Sequence, residues 1–401
     1  MVKINAKEVT VFILIVNIIS FVISMSTGKL LGDLSGQLVS INSLFLSLLF
    51  FILSLGFLWG CHQLISKIKP LFKVETSNYV GLIIALLSIS FIFYVYQTNL
   101  FLAGSSERGG GWGSTFYVIM NIDALMMIYL TFRVNDRFRT INMLLWTVSF
   151  LQRGWISYLL FIFVSWYFRR KSLGKSNLFL LFIIFPLTFS LPYLDTLKNS
   201  IRNSDSVSDV VYFSAEGPYF QIASEAFEKI VSRFQTISHI AYILDNADEI
   251  NNFKKHIPLQ NFYEENLVGL ALSKASLVNT ATVSSDFLAR FISPTLDSSW
   301  NVNPSLVGWV YLHNYYYFAP LMWIFLLIFI FHFFKSTLIS TENYYASAMS
   351  WFLLVLFVLP GWIFQFTTLI ISIIIYIILN VTCNYLKYFI KTVLHINENT
   401  R

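Results

Sequence analysis

The sequence predicts an all-α integral membrane protein with about ten transmembrane helices and one large helical loop on the outer side of the membrane. Of the 401 residues, 56% are apolar and only 12% are charged, with a mean hydropathy of +0.66. A soluble domain carries about 25% charged residues, so most of this protein's surface must face lipid. The apolar residues also fall in runs of roughly 20, the length that a helix needs to cross a bilayer.

Eight apolar runs are long enough to be spans: Val9–Met25, Leu38–Gly60, Tyr79–Phe101, Thr115–Phe132, Leu178–Leu194, Leu306–Phe334, Tyr345–Pro360 and Trp362–Thr382. The first lacks a small-residue cleavage site and is predicted to be retained. A further region, Ile141–Phe168, is too long for one span and too short for two, so we expect two short helices meeting at Arg153. The chain then divides into a membrane region (1–195), a loop (196–303) and a second membrane region (304–401).

The distribution of basic residues predicts the orientation. With both termini in the cytoplasm, 16 of the 27 Lys and Arg residues fall on cytoplasmic segments, 3 on short outer connections and 8 in the long loop. Basic residues are enriched on the cytoplasmic side of membrane proteins. The net charge of +6 is therefore explained by topology, and nucleic acid is excluded as a partner.

The outer loop, Thr196–Asn303, is far longer than an ordinary connection. Its apolar residues recur throughout, which favours a folded segment. The spacing between Pro218 and Leu244 predicts an amphipathic helix, and Glu264–Leu277 predicts a second, shorter one. The two cysteines, Cys61 and Cys383, lie outside the loop, so no disulfide can brace it.

Two arginines stand out chemically. Arg153 lies at the junction of the short helices, where a cation is costly unless it is paired or functional; it can bind phosphate oxygens or reach the lipid headgroups. Arg233 lies in the loop helix, where it can act on a ligand or pair with Glu228 or Glu225 at helical spacing. Asp123, midway along the fourth span, can act as a proton carrier or can pair with an arginine of a neighbouring helix; the pairing is the predicted role.

Other polar and aromatic residues are weaker candidates. His313 can act as a general base at neutral pH or form an interfacial hydrogen bond. The aromatic residues around it can stack on sugars or form an ordinary interfacial belt; they are Trp300, Trp309, Tyr311, Tyr315, Tyr316 and Tyr317. Loop acids that could supply a base are Glu216, Glu225, Glu264, Glu265 and Asp286. No His, Cys and Asp residues have the spacing of metal ligands, so no metal and no cofactor are predicted.

The layout resembles that of the Wzy-type polymerases, which extend O-antigen and similar bacterial surface glycans. Four features carry the resemblance: the large outer loop before the last three spans, the broken pair at Gln152-Arg153-Gly154, the segment Ser232–Leu244, and the segment Asn303–Tyr311. A glycine common after the last motif is replaced here by Tyr315–Pro320. His313-Asn314 also resembles a His-Asn pair of the related O-antigen ligases.

The resemblance implies a glycosyltransferase of GT-C-like architecture in the bacterial inner membrane, with its active site facing the periplasm. It would transfer a glycan from undecaprenyl pyrophosphate to another lipid-linked repeat unit, assisted by a chain-length regulator. The implied catalytic residues are Arg233, Arg153, His239 and Glu264. The implied substrate-binding residues are Arg202, Arg290, His313, Tyr311 and Trp309. A ligase and a flippase or other transporter are the alternatives.

Overall fold

The computed structural model describes residues 7–65, 70, 72–98, 100, 111–133, 136–153, 161–162, 164–165, 167–168, 234–267, 269, 282–294, 301–313, 318–338 and 343–398. These residues form helices and isolated bridges, with no strand among them. The first helices are α1 (Lys7–Thr27), α2 (Ile41–Ile65), α3 (Val80–Thr98), α4 (Trp112–Met120), α5 (Ile122–Phe132) and α6 (Arg139–Arg153). They are followed by α7 (Ile237–Asp245), α8 (Ala247–Phe253), α9 (Ser284–Ile292), α10 (Ser305–Leu312), α11 (Phe318–Thr337), α12 (Asn343–Phe357) and α13 (Ile363–Glu398).

The described residues contain 6 helical segments that are long and apolar enough to cross a membrane. They are α1, α2, α3, the combined α4 and α5, α11, and α13 as far as Ile390. The all-α membrane character is therefore confirmed. The larger count of spans stays a prediction, because Leu178–Leu194 lies outside the described residues.

Two predicted spans are divided. The fourth breaks at Asn121, a non-glycine residue with a φ of 33°, whose side-chain Oδ1 accepts a hydrogen bond from the Ala124 amide at 3.0 Å and so caps α5. Asn tolerates this left-handed conformation better than most residues. The prediction of one helix over Leu306–Phe334 is wrong, since α10 ends at Leu312 and α11 begins at Phe318.

Hydrogen bonds between the segments that link the helices lie at two opposite ends of the helix bundle. At the loop end, which holds residues 28–40, α7 and α10, the Ser305 amide donates to the Pro360 carbonyl at 2.9 Å. At the opposite end, the Val74 amide donates to the Thr337 carbonyl at 2.7 Å. The Ser77 amide at that end bonds the Asn380 Oδ1 of α13 at 2.7 Å.

A buried arginine closes the end of α5. Arg139 is only 1% exposed; its Nη1 donates to the Leu130 carbonyl at 3.0 Å and also to the Arg133 carbonyl. Its Nη2 donates to Ser165 Oγ at 2.7 Å and to Tyr345 Oη at 3.0 Å. The last carbonyls of a helix lack partners within the helix. A cation at that end also interacts favourably with the negative end of the helix dipole. The guanidinium of Arg139 therefore caps the C-terminal end of α5 and joins this helix to α12.

The turn between α12 and α13 requires glycine at position 361. Gly361 has a φ of +80°, and a Cβ there would lie 2.5 Å from the Ser305 carbonyl oxygen. Gly28 has a φ of +66° but nothing within 4 Å of such a Cβ. Both Gly→Ala changes meet the left-handed penalty of about 1–2 kcal/mol. We expect Gly361→Ala to lower the thermal midpoint in detergent clearly more than Gly28→Ala, because it also separates α10 from the turn. Equal losses would contradict this account.

Candidate functional site

The end of the long loop reaches into the helix bundle. Asn17 is fully buried and is the central residue of α1, which runs from Lys7 to Thr27. Its Nδ2 donates to the Phe234 carbonyl at 3.0 Å, and its Oδ1 accepts from the Thr236 amide at 2.8 Å. Non-helical backbone at membrane depth is tolerated where protein covers it and satisfies its polar groups. The loop segment before α7 is thus docked against the middle of the first span.

Helix α7 packs against α2, α1 and α10, and residues 237–243 are all buried. The prediction of one amphipathic helix from Pro218 to Leu244 is wrong at its described end, because residues 234–236 are not helical and α7 begins only at Ile237, with both of its first turns buried on every face. Residues 218–233 of that prediction lie outside the described residues. Asp245 at its end accepts from the Ser40 amide at 2.8 Å and from Ser43 Oγ at 2.6 Å. These bonds join the end of α7 to the start of α2 and so fix the loop to the bundle.

His239 on α7 faces the connection between α1 and α2. Its Nε2 lies 4.0 Å from Oδ2 of Asp33, a residue of the short 3-10 turn Gly32–Leu34. The neighbouring Ser238 Oγ accepts from the Leu31 amide at 3.1 Å. His239, predicted to be catalytic, is thus buried beside a carboxylate, with which it forms an ion pair when its ring is protonated.

A second carboxylate lies among residues of α9 and α10. Glu265 is 4% exposed. Its Oε1 accepts from both the amide and the hydroxyl of Ser284, the amide at 2.7 Å, and its Oε2 accepts from Trp309 Nε1 at 2.7 Å. Three hydrogen-bond donors thus hold both oxygens of this buried carboxyl group in place.

His313, directly after α10, completes this group. Its Nε2 lies 3.5 Å from Glu265 Oε1 and 3.3 Å from Ser284 Oγ. The Trp309 ring lies against the imidazole, with the ring centroids 4.8 Å apart. A carboxylate that orients an imidazole is the arrangement found in general-base catalysis. His313 can therefore accept a proton while Glu265 stabilises the resulting positive charge.

An open pocket of about 100 Å³ borders His313. Its lining consists of Lys254, Leu259, Gln260, Asn261, Phe262, Leu312 and His313. Lys254 Nζ lies 5.2 Å from the centroid of the Tyr311 ring and 3.4 Å from the Tyr311 carbonyl oxygen. The pocket thus brings the Lys254 ammonium and the His313 imidazole to one surface between the loop and the end of α10, with Glu265 buried beside the imidazole.

Lys254 should make the stability of the protein depend on pH. Burial lowers the pKa of Lys254 from 10.5 to about 8. Below pH 8 the lysine is charged in both the folded and unfolded states, and the folded protein carries the desolvation cost. Between pH 8 and 10.5 the unfolded state binds more protons, so this cost is relieved as pH rises.

We therefore expect Lys254→Met to have a higher thermal midpoint than the wild type at pH 7. This difference should shrink as the pH is raised towards 10. Lys255→Met is the matched control, because Lys255 is exposed and adjacent, and its difference from the wild type should not vary with pH. A pH-independent difference for Lys254→Met would show that burial of its charge is not the cause.

Arg153 belongs to a separate group, inside the membrane region. Its Nη1 and Nη2 bind the Oδ2 and Oδ1 of Asp123, each at 2.6 Å, and its Nε donates to the Ser149 carbonyl at 3.1 Å. Trp146 Nε1 also donates to Asp123 Oδ1, at 2.9 Å, and the guanidinium lies 5.0 Å from the centroid of the Phe91 ring. The predicted pairing of Asp123 with an arginine of a neighbouring helix is confirmed.

The remaining predicted residues are distributed unevenly. Tyr311 accepts from Asn251 Nδ2 at 2.9 Å and donates to the Ala247 carbonyl at 3.2 Å, so its hydroxyl supports α8. Glu264 Oε2 accepts from the Asn261 amide at 3.3 Å, whereas its neighbour Glu265 contacts His313. Arg290 is exposed in the last turn of α9. Arg202 and Arg233 lie outside the described residues.

Sequence reasoning gave no role to Lys254 or Ser284 and did not rank Glu265 above the other loop acids. An apolar neighbourhood was visible around Glu265, but adjacent residues point in different directions, and only the fold shows which carboxylate is buried. Asn17 carried a clearer signal, since it is a polar residue at the centre of an apolar run. Such residues usually bond another buried polar group.

Together the fold and these groups define an α-helical membrane protein with a buried carboxylate–imidazole pair beside a lysine-lined pocket. Comparison with family models, curated proteins and solved structures found no match for this protein.

Proposed function

We propose that this protein is a polymerase of bacterial surface polysaccharide. It would transfer a glycan from undecaprenyl pyrophosphate to the non-reducing end of another lipid-linked repeat unit, at the outer face of the inner membrane. The observation that carries the proposal is a pocket lined by both Lys254 and His313, with Glu265 beside His313, at the point where the long loop meets α10. A lipid-linked substrate needs a polar reaction site at such a junction.

The chemistry follows from the charges that the reaction creates. A hydroxyl of the acceptor sugar attacks the anomeric carbon of the donor, forms the new C–O bond and gives up its proton to His313. The bond between that carbon and the pyrophosphate oxygen breaks, which leaves negative charge on the lipid pyrophosphate. The Lys254 ammonium, mainly protonated at pH 7 because its pKa is about 8, would stabilise that charge.

The lipid pyrophosphate is itself an activated leaving group, so the reaction needs no nucleotide outside the cytoplasm. Arg233 would assist Lys254 in binding phosphate oxygens, since guanidinium groups bind them in pairs. Its neighbour Phe234 is bonded to Asn17 at the centre of α1, close to the lipid part of a substrate. His239 with Asp33 is the second candidate base on this side of the bundle.

In vitro elongation tests the proposal directly. Purified full-length protein in nanodiscs is given a defined undecaprenyl-pyrophosphate-linked repeat unit, and the expected product is a ladder of longer lipid-linked glycans with release of undecaprenyl pyrophosphate. Absence of elongation by well-folded protein would contradict the proposal. Transfer only to lipid A core would identify a ligase.

Deletion of the encoding gene separates the alternatives in cells. A polymerase defect leaves core that carries a single repeat unit. A ligase defect leaves bare core together with lipid-linked polymer, and a flippase defect leaves no exported repeat unit. We expect the first pattern, with chain length set by a separate regulator that contacts the polymerase.

A further inference from the structure

The last helix, α13, continues beyond the end of the bundle that lies opposite the loop. There Asn380 Oδ1 accepts from the Ser77 amide at 2.7 Å, and Asn384 Nδ2 donates to the Glu75 carbonyl at 2.7 Å. After these bonds the helix runs on to Glu398. At about 1.5 Å per residue, this α13 extension (residues 385–398) is roughly 21 Å long. It passes the connection between α2 and α3 and stands clear of the bundle.

The first turns of the α13 extension are exposed on every side. Residues 385–390 are all exposed, and at about 3.6 residues per turn they point in all directions around the helix axis. Five of these side chains are large, apolar and more than half exposed: Tyr385, Leu386, Tyr388, Phe389 and Ile390. A protein partner that packs against one face would leave the others in water. Lipid, in contrast, surrounds a helix on all sides.

The length of α13 places these turns at the membrane surface. Its apolar part runs from Ile363 to Ile390 and contains 28 residues, which corresponds to roughly 42 Å. A bilayer is about 40–45 Å thick when its headgroup regions are included. The start of α13 lies at the loop end, where Pro360 bonds Ser305. A helix close to the membrane normal therefore has residues 385–390 in the headgroup layer opposite the loop.

The charges of the α13 extension favour an anionic headgroup. Lys387 is exposed among the apolar side chains, Lys391 follows one turn later, and the only acid of the extension is Glu398 at its far end. The neighbouring connection between α2 and α3 carries exposed Lys73 and exposed Glu75, whose charges cancel. Basic residues beside a span attract lipids with a net negative charge. The charge at this depth of the membrane is thus positive.

We propose that residues 385–391 are a binding site for anionic phospholipids in the leaflet opposite the loop. The ammonium group of Lys387 pairs with the negative headgroup, while its methylene stem lies along the neighbouring apolar surface. The rings of Tyr385, Tyr388 and Phe389 lie between headgroups and hydrocarbon, the depth at which aromatic residues are enriched in membrane proteins. A zwitterionic headgroup carries no net charge and gains less from the lysine.

A second copy of this chain is a poorer occupant of the same surface. Two extensions packed side by side would bring the Lys387 and Lys391 of one copy close to those of the other, and like charges repel. The outward faces of both helices would also stay exposed. Lipid avoids both costs, because it surrounds the helix and supplies the opposite charge.

Photo-crosslinking in nanodiscs tests the site. Tyr388 is replaced by the photoreactive p-benzoylphenylalanine in the full-length protein, in nanodiscs of equal parts phosphatidylcholine and phosphatidylglycerol with matched acyl chains. We expect mass spectrometry to show several-fold more adduct with phosphatidylglycerol than with phosphatidylcholine. The same residue at Phe93, an exposed position of α3, provides the matched control and should react with the two lipids equally.

The lysine variants show whether charge sets the preference. Adding Lys387→Gln to the Tyr388 probe should lower the preference for phosphatidylglycerol several-fold, while Lys73→Gln should leave it unchanged. Equal adducts with both lipids at position 388 would overturn the proposal, and so would a preference that survives Lys387→Gln. A crosslinked dimer in place of lipid adducts would identify a second copy as the occupant. Absence of any adduct at position 388, with normal reaction at Phe93, would place the extension in water.

Discussion

Replacing Arg153 by alanine is expected to remove most of the folded protein from the membrane. The change leaves the Asp123 carboxyl group inside the helix bundle without the two guanidinium hydrogen bonds of 2.6 Å that it accepts. Breaking a buried ion pair by removing one partner costs about 3–5 kcal/mol. Total stabilities are roughly 5–15 kcal/mol, so the loss should be visible both as protein level and as thermal midpoint in detergent.

Matched variants separate the lost pair from a lost positive charge. Asp123→Ala should be equally damaging, because it leaves Arg153 unpaired with only 4% of its surface exposed. The double variant Arg153→Met with Asp123→Leu should recover much of the folded protein, since neither charge is then buried. Arg290→Ala, at an exposed arginine, should change stability little. A stable Arg153→Ala protein would contradict the structural role of the pair.

The same double variant tests the catalytic role predicted for Arg153. All three nitrogen groups of its guanidinium are engaged by Asp123 and Ser149, so a substrate phosphate would have to displace Asp123. If the protein is the polymerase proposed above, we expect polymer synthesis to return together with folding. A well-folded double variant that makes no polymer would instead support a direct role of Arg153 in the reaction.

The helices that are long and apolar enough to cross a membrane were predictable, because such a helix is recognised from the apolar composition of one continuous stretch of sequence. The predicted runs Val9–Met25 and Tyr79–Phe101 correspond closely to α1 and α3. The pairing of Asp123 was predictable for a similar reason, since a carboxylate within a span must find a cation. The particular partner became clear only from the fold, because Arg153 lies 30 residues further along the sequence.

The loop was less predictable because its structure is set by distant residues. Helical spacing before Leu244 indicated one exposed face, but residues 237–243 of α7 are all buried against α1, α2, α10 and the connection between α1 and α2. The docking of Phe234 against Asn17 joins residues 217 positions apart, and no local pattern encodes it. The interruption between α10 and α11 was also hidden, since apolar residues continue through both helices.

Replacing His313 by alanine is expected to have the largest effect on activity. If His313 takes the proton of the acceptor hydroxyl, its loss should slow in vitro elongation by about 10²–10⁴-fold, the usual contribution of a general base. The amount of folded protein should fall much less, because Glu265 keeps its hydrogen bonds from Ser284 and Trp309 when His313 is removed. The measurement compares elongation rates at equal concentrations of folded protein.

His256→Ala provides the control for this variant, because His256 is an exposed histidine of the same loop and should elongate glycan at the wild-type rate. Glu265→Gln should also be slow, since an amide cannot stabilise the positive charge on His313. It should lose some stability as well, because Glu265 accepts bonds from Ser284 and Trp309 through both oxygens and glutamine has one acceptor oxygen. Elongation at the wild-type rate by His313→Ala would show that His313 is not the base. His239, which lies beside Asp33, would then be the next residue to test by substitution.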